Sequence, residues 1–195
     1  MSKCKRNKSL GLDGISNEFL IALPDNWKLY LVSLFNNVFN ECEVPDDWAK
    51  VVTIMLHKKG NNKDPENYRP IALVNTITKL FTQILYQRVI KWCKKINAIP
   101  EYQSGFREDR GCIDNTFTLN SIIQFQLQKN RGKLFAFFVD FKRAFPSVNH
   151  AILWQKLAQE GMSSKFIEIL SSLYSKAKTC VKIGNEFSLW VNVTG

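Results

Sequence analysis

Two strand-length apolar runs, the first interrupted only by Thr53, constrain this chain more than any other feature. Val51-Val52-Thr53-Ile54-Met55-Leu56 and Leu134-Phe135-Ala136-Phe137-Phe138-Val139 have the length of strands, far short of the roughly 20 residues that cross a bilayer. The second run is apolar at every position, the pattern of a central strand covered on both faces, and it stops at Asp140. Elsewhere the spacing is helical. Ile77, Leu80, Phe81, Ile84, Leu85 and Val89 form one stripe and predict a helix over Thr76–Lys95. Trp27, Leu31, Leu34, Phe35 and Val38 predict another from Asp25 or Asn26 to Asn40, after Pro24 has stopped a short helix over Asn17–Leu23. Further helices are expected at Ile113–Gln128, Asn149–Gln159 and Ser163–Lys176. The tail alternates through Thr179, Val181, Ile183 and then Phe187, Leu189, Val191, Val193, which predicts a hairpin turning at Gly184-Asn185. Helices and strands mix without a regular βαβ repeat, so the fold class read from the sequence is α+β.

With 195 residues and 45% hydrophobic side chains the chain can bury an ordinary core, which excludes a disordered polypeptide. Its 27 Lys and Arg against 17 Asp and Glu give a formal charge of +10. That excess speaks about partners, favouring phosphate-bearing polymers or anionic surfaces. The five cysteines (Cys4, Cys42, Cys93, Cys112, Cys180) make no C-x-x-C pair, and His57 and His150 are remote from them in sequence, so reduced thiols are expected. The first ten residues read as a loose basic arm without a secretory h-region. The pattern predicts a soluble intracellular chain, nuclear or cytoplasmic, that makes no use of a membrane.

Two places carry candidate chemistry. Asp140 leaves the end of a buried apolar strand, a costly position unless a cation meets it. Mg²⁺, which takes hard oxygen ligands, would do so; so would a capping role, or pairing with Lys142 or Arg143. The polar stretch His57–Pro70 places Lys58, Lys59 and Arg69 around a turn containing Gly60 and Pro65. Such a hairpin can close over a triphosphate or can simply be solvated.

Five segments in order then resemble one family. Asn7–Phe19 looks like an "NKSxGxDGIxxEF" opening. Val44-Pro45 with Trp48 and Val51–Gly60 looks like "VPxxWK…KKG". Asn67–Leu73 matches "NYRPISLL", Gln103–Arg107 matches "QxGFR", and Phe138–Phe145 matches "FxDxxxAF". Together they resemble the N-terminal half of the reverse transcriptase domain of non-LTR (LINE-type, jockey-like) retrotransposons. The resemblance implies a right-hand polymerase fold, truncated: a basic arm over 1–10, fingers over 11–130 and a partial palm over 131–195. It implies that Asp140 is the catalytic metal ligand, with the Phe141 carbonyl also on Mg²⁺. Lys58, Lys59 and Arg69 would grip the incoming dNTP, with Phe145 as the steric gate against a ribose hydroxyl. Gln103, Gly105, Phe106 and Arg107 would lie near the template, and the partners would be an RNA template and a DNA primer.

Two departures stand out. Pro146 occupies the place where the family commonly has Asp after the gate, and proline fixes φ and removes a donor. The sequence also reaches Val193-Thr194-Gly195 where relatives continue into "RQG" and "xDD" segments, so no Asp-Asp pair follows Asp140. The expectation is a polymerase fragment inactive by itself. A non-catalytic module that holds RNA or primer–template through its phosphates is the alternative. A hydrolase built on Asp140 would need a partner carboxylate or a nucleophile–base pair, for which the sequence offers no spacing.

Overall fold

The computed structural model describes residues 5–141 and 144–193. Within the arm and the motif around Asp140, positions 1–4 and Lys142-Arg143 lie outside the described residues, as does the Thr194-Gly195 end. The chain divides into two compact units, one formed by Met1–Arg88 with Phe145–Gly195 and the other by Val89–Ala144.

The first unit opens with α1 (Asn17–Ala22), whose N-cap Ser16 accepts a hydrogen bond from the Phe19 amide, and α2 (Asp25–Glu41), begun after Pro24. A 3-10 turn at Asp46–Ala49 leads into β1 (Lys50–His57), which pairs antiparallel with β2 (Tyr68–Val74). The strand β2 was not expected from the sequence. Pro70 interrupts its pattern, and it is accommodated because β2 is an edge strand, where a missing amide breaks no ladder bond. After α3 (Thr76–Ile96), the unit resumes with α5 (His150–Gln159) and α6 (Ser164–Ser175), capped by Asn149 and Ser163 at their expected starts. Then β3 (Lys178–Ile183) runs parallel to β1, and β4 (Glu186–Phe187) and β5 (Val191–Asn192) both pair back on β3. The sheet order is β2-β1-β3-β4, with β5 also on β3. The tail hairpin therefore forms, turning at Gly184 with φ 60°. It is interrupted at Ser188, whose amide and hydroxyl both bond Val181.

Every buried hydrophobic residue among those described belongs to this unit. Its centre is a cluster of three rings: Phe35 of α2, Trp48 of the 3-10 turn and Phe81 of α3 meet with centroids 5.4–5.7 Å apart. These are favourable tilted and edge-on contacts. On the other side Phe166 and Ile169 of α6 pack inward, and the Val44 amide donates to the Ser172 hydroxyl at 3.0 Å.

The second unit is differently built. Its α4 (Cys112–Leu127) contains no buried residue, and Ile113, Phe117 and Phe125 are exposed. Polar contacts tie the turns before it together: Glu101 meets both Arg107 and Arg110, and Lys94 pairs with Glu108 at 2.8 Å. The central strand expected at Leu134–Val139 is absent. The segment is irregular, with Phe135 and Phe137 both 91% exposed and Asp140 exposed at its end. A strand exists only where another offers a ladder. In the sheet, β1 is flanked by β2 and β3, while β3 is flanked by β1 and by β4 with β5. No described residue pairs with the 134–139 backbone.

No helix is long and apolar enough to cross a membrane among the described residues.

Candidate functional site

The hairpin between β1 and β2 gathers three of the residues singled out in the sequence. Lys58 and Lys59 follow directly on β1, and Arg69 lies on β2 opposite Leu56. All three side chains are exposed and make no ion pair or hydrogen bond among the described residues. Their backbone is held tightly. The Lys58 amide donates to the Asn67 carbonyl at 2.8 Å, which closes the loop. Inside it, Asn61 accepts from the Lys63 amide, and Asp64 from the Glu66 amide, both short turns fixed by side-chain oxygens. The Tyr68 ring meets His57 at a tilt of 60° with centroids 5.1 Å apart, and its hydroxyl donates to the Asn62 carbonyl at 2.8 Å. Next to this loop lies a groove of about 600 Å³ with Ile54, Met55 and Leu73 in its lining and Lys63 and Lys182 among its polar members.

Residues distant in sequence anchor β2 and α3. The Asp13 carboxylate caps α3 from a distant part of the chain, accepting from the Thr76 amide at 2.7 Å and the Ile77 amide at 3.3 Å. Anions are favoured at such an end because the first amides of a helix lack partners. Buried Asn75 completes the joint, accepting from the Asp13 amide and donating to the Asp47 carbonyl at 2.8 Å. At Gly11 a Cβ would sit 2.6 Å from the Asn75 Cα, closer than side chains come, so the chain can pass here only as glycine. The opening motif thus has a structural role. Asp followed by Gly at a turn was its only local signal, and the capped helix begins 63 residues further on. Among the described residues of the arm, the Lys5 carbonyl accepts from Asn17 and the Asn7 amide donates to Glu18 of α1.

The other singled-out residues lie elsewhere. Gln103, Gly105, Phe106 and Arg107 share one turn-rich loop of the second unit. Phe106 is 79% exposed with φ 61°, whereas Arg107 spends its guanidinium on the Pro100 carbonyl and on Glu101. Asp140 and Phe141 are exposed in the irregular segment of the second unit, and Phe145 is exposed at the start of the resumed first unit. Among the described residues no three His, Cys, Asp or Glu side chains converge as metal ligands. One carboxylate and a carbonyl do not match two adjacent Mg²⁺ ions, which need more hard donors to hold and neutralise them.

The sequence profile described as reverse transcriptase (RNA-dependent DNA polymerase) matches residues 56–191, from the end of β1 to β5. The chain belongs to the reverse transcriptase family. Relatives include the "Probable RNA-directed DNA polymerase from transposon BS" of Drosophila melanogaster, 28% identical over 93% of this chain and 20% of that protein. The "RNA-directed DNA polymerase from mobile element jockey" of the same fly is 31% identical over 80% of this chain and 17% of that protein. The "Retrovirus-related Pol polyprotein from type-2 retrotransposable element R2DM", also of D. melanogaster, is 25% identical over 91% and 16%. The chain thus spans about one fifth of the length of the relatives it matches, and the jockey-like, non-LTR resemblance carried by the five motifs agrees with them. For a reverse transcriptase, a mixed helix-and-sheet chain is a consistent arrangement.

Proposed function

We propose that this chain is the front part of an RNA-directed DNA polymerase of a non-LTR mobile element, with fingers followed by the beginning of a palm. In this reading the β1–β2 hairpin takes the triphosphate of the incoming dNTP. Lys58 and Lys59 act as point charges and Arg69 as a planar fork able to meet two oxygens at once. The observation that carries the reading is the grouping of three unpaired cations on one closed hairpin within the matched family region. Asp140 is assigned the part of one ligand to catalytic Mg²⁺, with the Phe141 carbonyl beside it in sequence. Phe145 is assigned the steric gate, and Gln103, Gly105, Phe106 and Arg107 the neighbourhood of the RNA template. What Mg²⁺ supplies in such a polymerase is activation of the primer hydroxyl and stabilisation of the departing pyrophosphate.

The isolated chain is expected to be inactive, because the described donors do not complete a two-metal site. A primer-extension assay with Mg²⁺, dNTPs and a primed RNA template checks this. Incorporation that disappears on Asp140→Asn would overturn the expectation. A second reading, in which the chain only holds nucleic acid, rests on the +10 charge. It requires affinity for RNA or primer–template to fall with salt, with a log–log slope of about −0.7 to −0.9 per phosphate contact. A flat salt response in a filter-binding titration would exclude it.

A further inference from the structure

We infer that Asn67 is a positioning residue which, with Gly60, sets the spread of Lys58, Lys59 and Arg69. This rests on the reading of the hairpin as a triphosphate grip. A connection as long as that from Lys58 to Asn67 is ordinarily a mobile surface loop, and mobility would spread its cations over many arrangements. Here Asn67 draws the loop together three times. Its carbonyl accepts from the Lys58 amide at 2.8 Å, and its amide donates to the Asp64 carbonyl at 3.1 Å. Its side-chain Nδ2 donates across the loop to the Asn61 carbonyl at 3.0 Å. The residue is half-buried, while both lysines and Arg69 are exposed. It acts through the backbone that carries those cations.

Gly60 fits against that side chain. Its φ is +86°, a region side chains rarely adopt, and a Cβ there would stand 2.9 Å from the Asn67 Nδ2 and 3.2 Å from its Cγ. Gly60 follows Lys59 directly, and Asn67 lies two positions before Arg69. The contact between the two residues therefore ties the end of the lysine pair to the approach of the arginine strand. Any side chain at Gly60 pushes on Asn67, and loss of the Asn67 amide frees Asn61 and the turn after it.

The test uses the full 195-residue chain and metal-free inorganic tripolyphosphate, titrated calorimetrically. Removing all three cations (Lys58→Ala, Lys59→Ala, Arg69→Ala) should abolish binding. Asn67→Ala should weaken it about three- to tenfold, the range of one well-placed hydrogen bond. Its melting temperature should stay unchanged, and amide exchange should become faster across residues 57–67. Gly60→Ala should weaken binding too. The double variant should lose less than the product of the two losses, because Asn67→Ala removes the clash that the new methyl group makes. Tripolyphosphate binding that ignores the loss of all three cations, or no binding by the unsubstituted chain, overturns the reading of the hairpin. Exchange unchanged by Asn67→Ala overturns the positioning role whatever the ligand result. So does unaltered affinity of Asn67→Ala where the triple variant has lost binding, or strict multiplicativity of the two single losses.

Discussion

At the scale of single residues, the chain is organised by a few side chains that reach far along the sequence. Asp13 caps α3 with two hydrogen bonds, and nothing else among the described residues accepts from the Thr76 amide. Asp13→Ala should therefore destabilise the first unit by about 1–2 kcal/mol, the usual cost of a lost helix cap. Asp13→Asn should recover part of that loss; equal melting temperatures for Asp13→Ala and the parent in thermal denaturation would refute the cap. Lys176 does comparable work beyond α6, meeting Glu43 at 3.0 Å, Asp46 at 3.1 Å and the Val44 carbonyl at 2.8 Å. The Lys176 ammonium hydrogen-bonded to Asp46 holds that carboxyl below the usual carboxylate range, and the Glu43 and Asp46 carboxylates hold the Lys176 ammonium above its own. The two signs differ. The Asp46 contribution is complete above its unfolded pKa, near 4, and is lost as pH falls through the lower folded value. The Lys176 contribution is complete below its unfolded pKa, near 10.4, and is lost as pH rises through the higher folded value. Both pairs face water and are screened. Lys176→Met should accordingly flatten the stability profile at its acid and alkaline limits, measured as melting temperature against pH at low salt.

At the scale of elements, helices were legible because amphipathic spacing and caps are local. The structure begins α5 and α6 after Asn149 and Ser163, and α3 runs from Thr76 as the stripe from Ile77 to Val89 requires. Strands were legible only where their partners lay nearby. β1 and the tail hairpin were visible, whereas β2 was hidden by Pro70 until its edge position made proline harmless. The apolar run Leu134–Val139 had the composition of a central strand and became none, since composition expresses a demand for burial and cannot supply the neighbour that meets it. This element should betray itself in solution. Phe135, Phe137, Phe138 and Phe141 are all more than three-quarters exposed, so the chain should bind a hydrophobic dye and self-associate as its concentration rises. Replacing Phe135 and Phe137 with Ser should reduce both signals without shifting the melting temperature. A dye-silent, concentration-independent monomer would contradict this account.

At the scale of the whole molecule, the buried apolar side chains are concentrated in the unit formed by residues 1–88 and 145–195, and residues 89–144 hold the end of α3, the exposed α4 and several polar contacts, with no buried apolar side chain among those described. Limited proteolysis should therefore cut first within 97–111 or 129–141, where irregular backbone carries few buried contacts. Initial cleavage inside β1 or β3 would argue against the division. The sequence alone determined the family, through five ordered motifs, and the helices, through periodicity and caps. It also confined Lys58, Lys59 and Arg69 to one short polar stretch, while β2, which seats Arg69, was settled by its pairing with β1. Tertiary structure decided the rest. It placed β3 beside β1, with the Thr53 and Thr179 hydroxyls 2.8 Å apart across 126 residues of chain. It set Asp13 on a helix far beyond it and left the Asp140 segment unpaired. The physical reason is one of range: caps and periodicity are satisfied within a few residues, whereas ladder bonds and burial need a partner that the local sequence does not name.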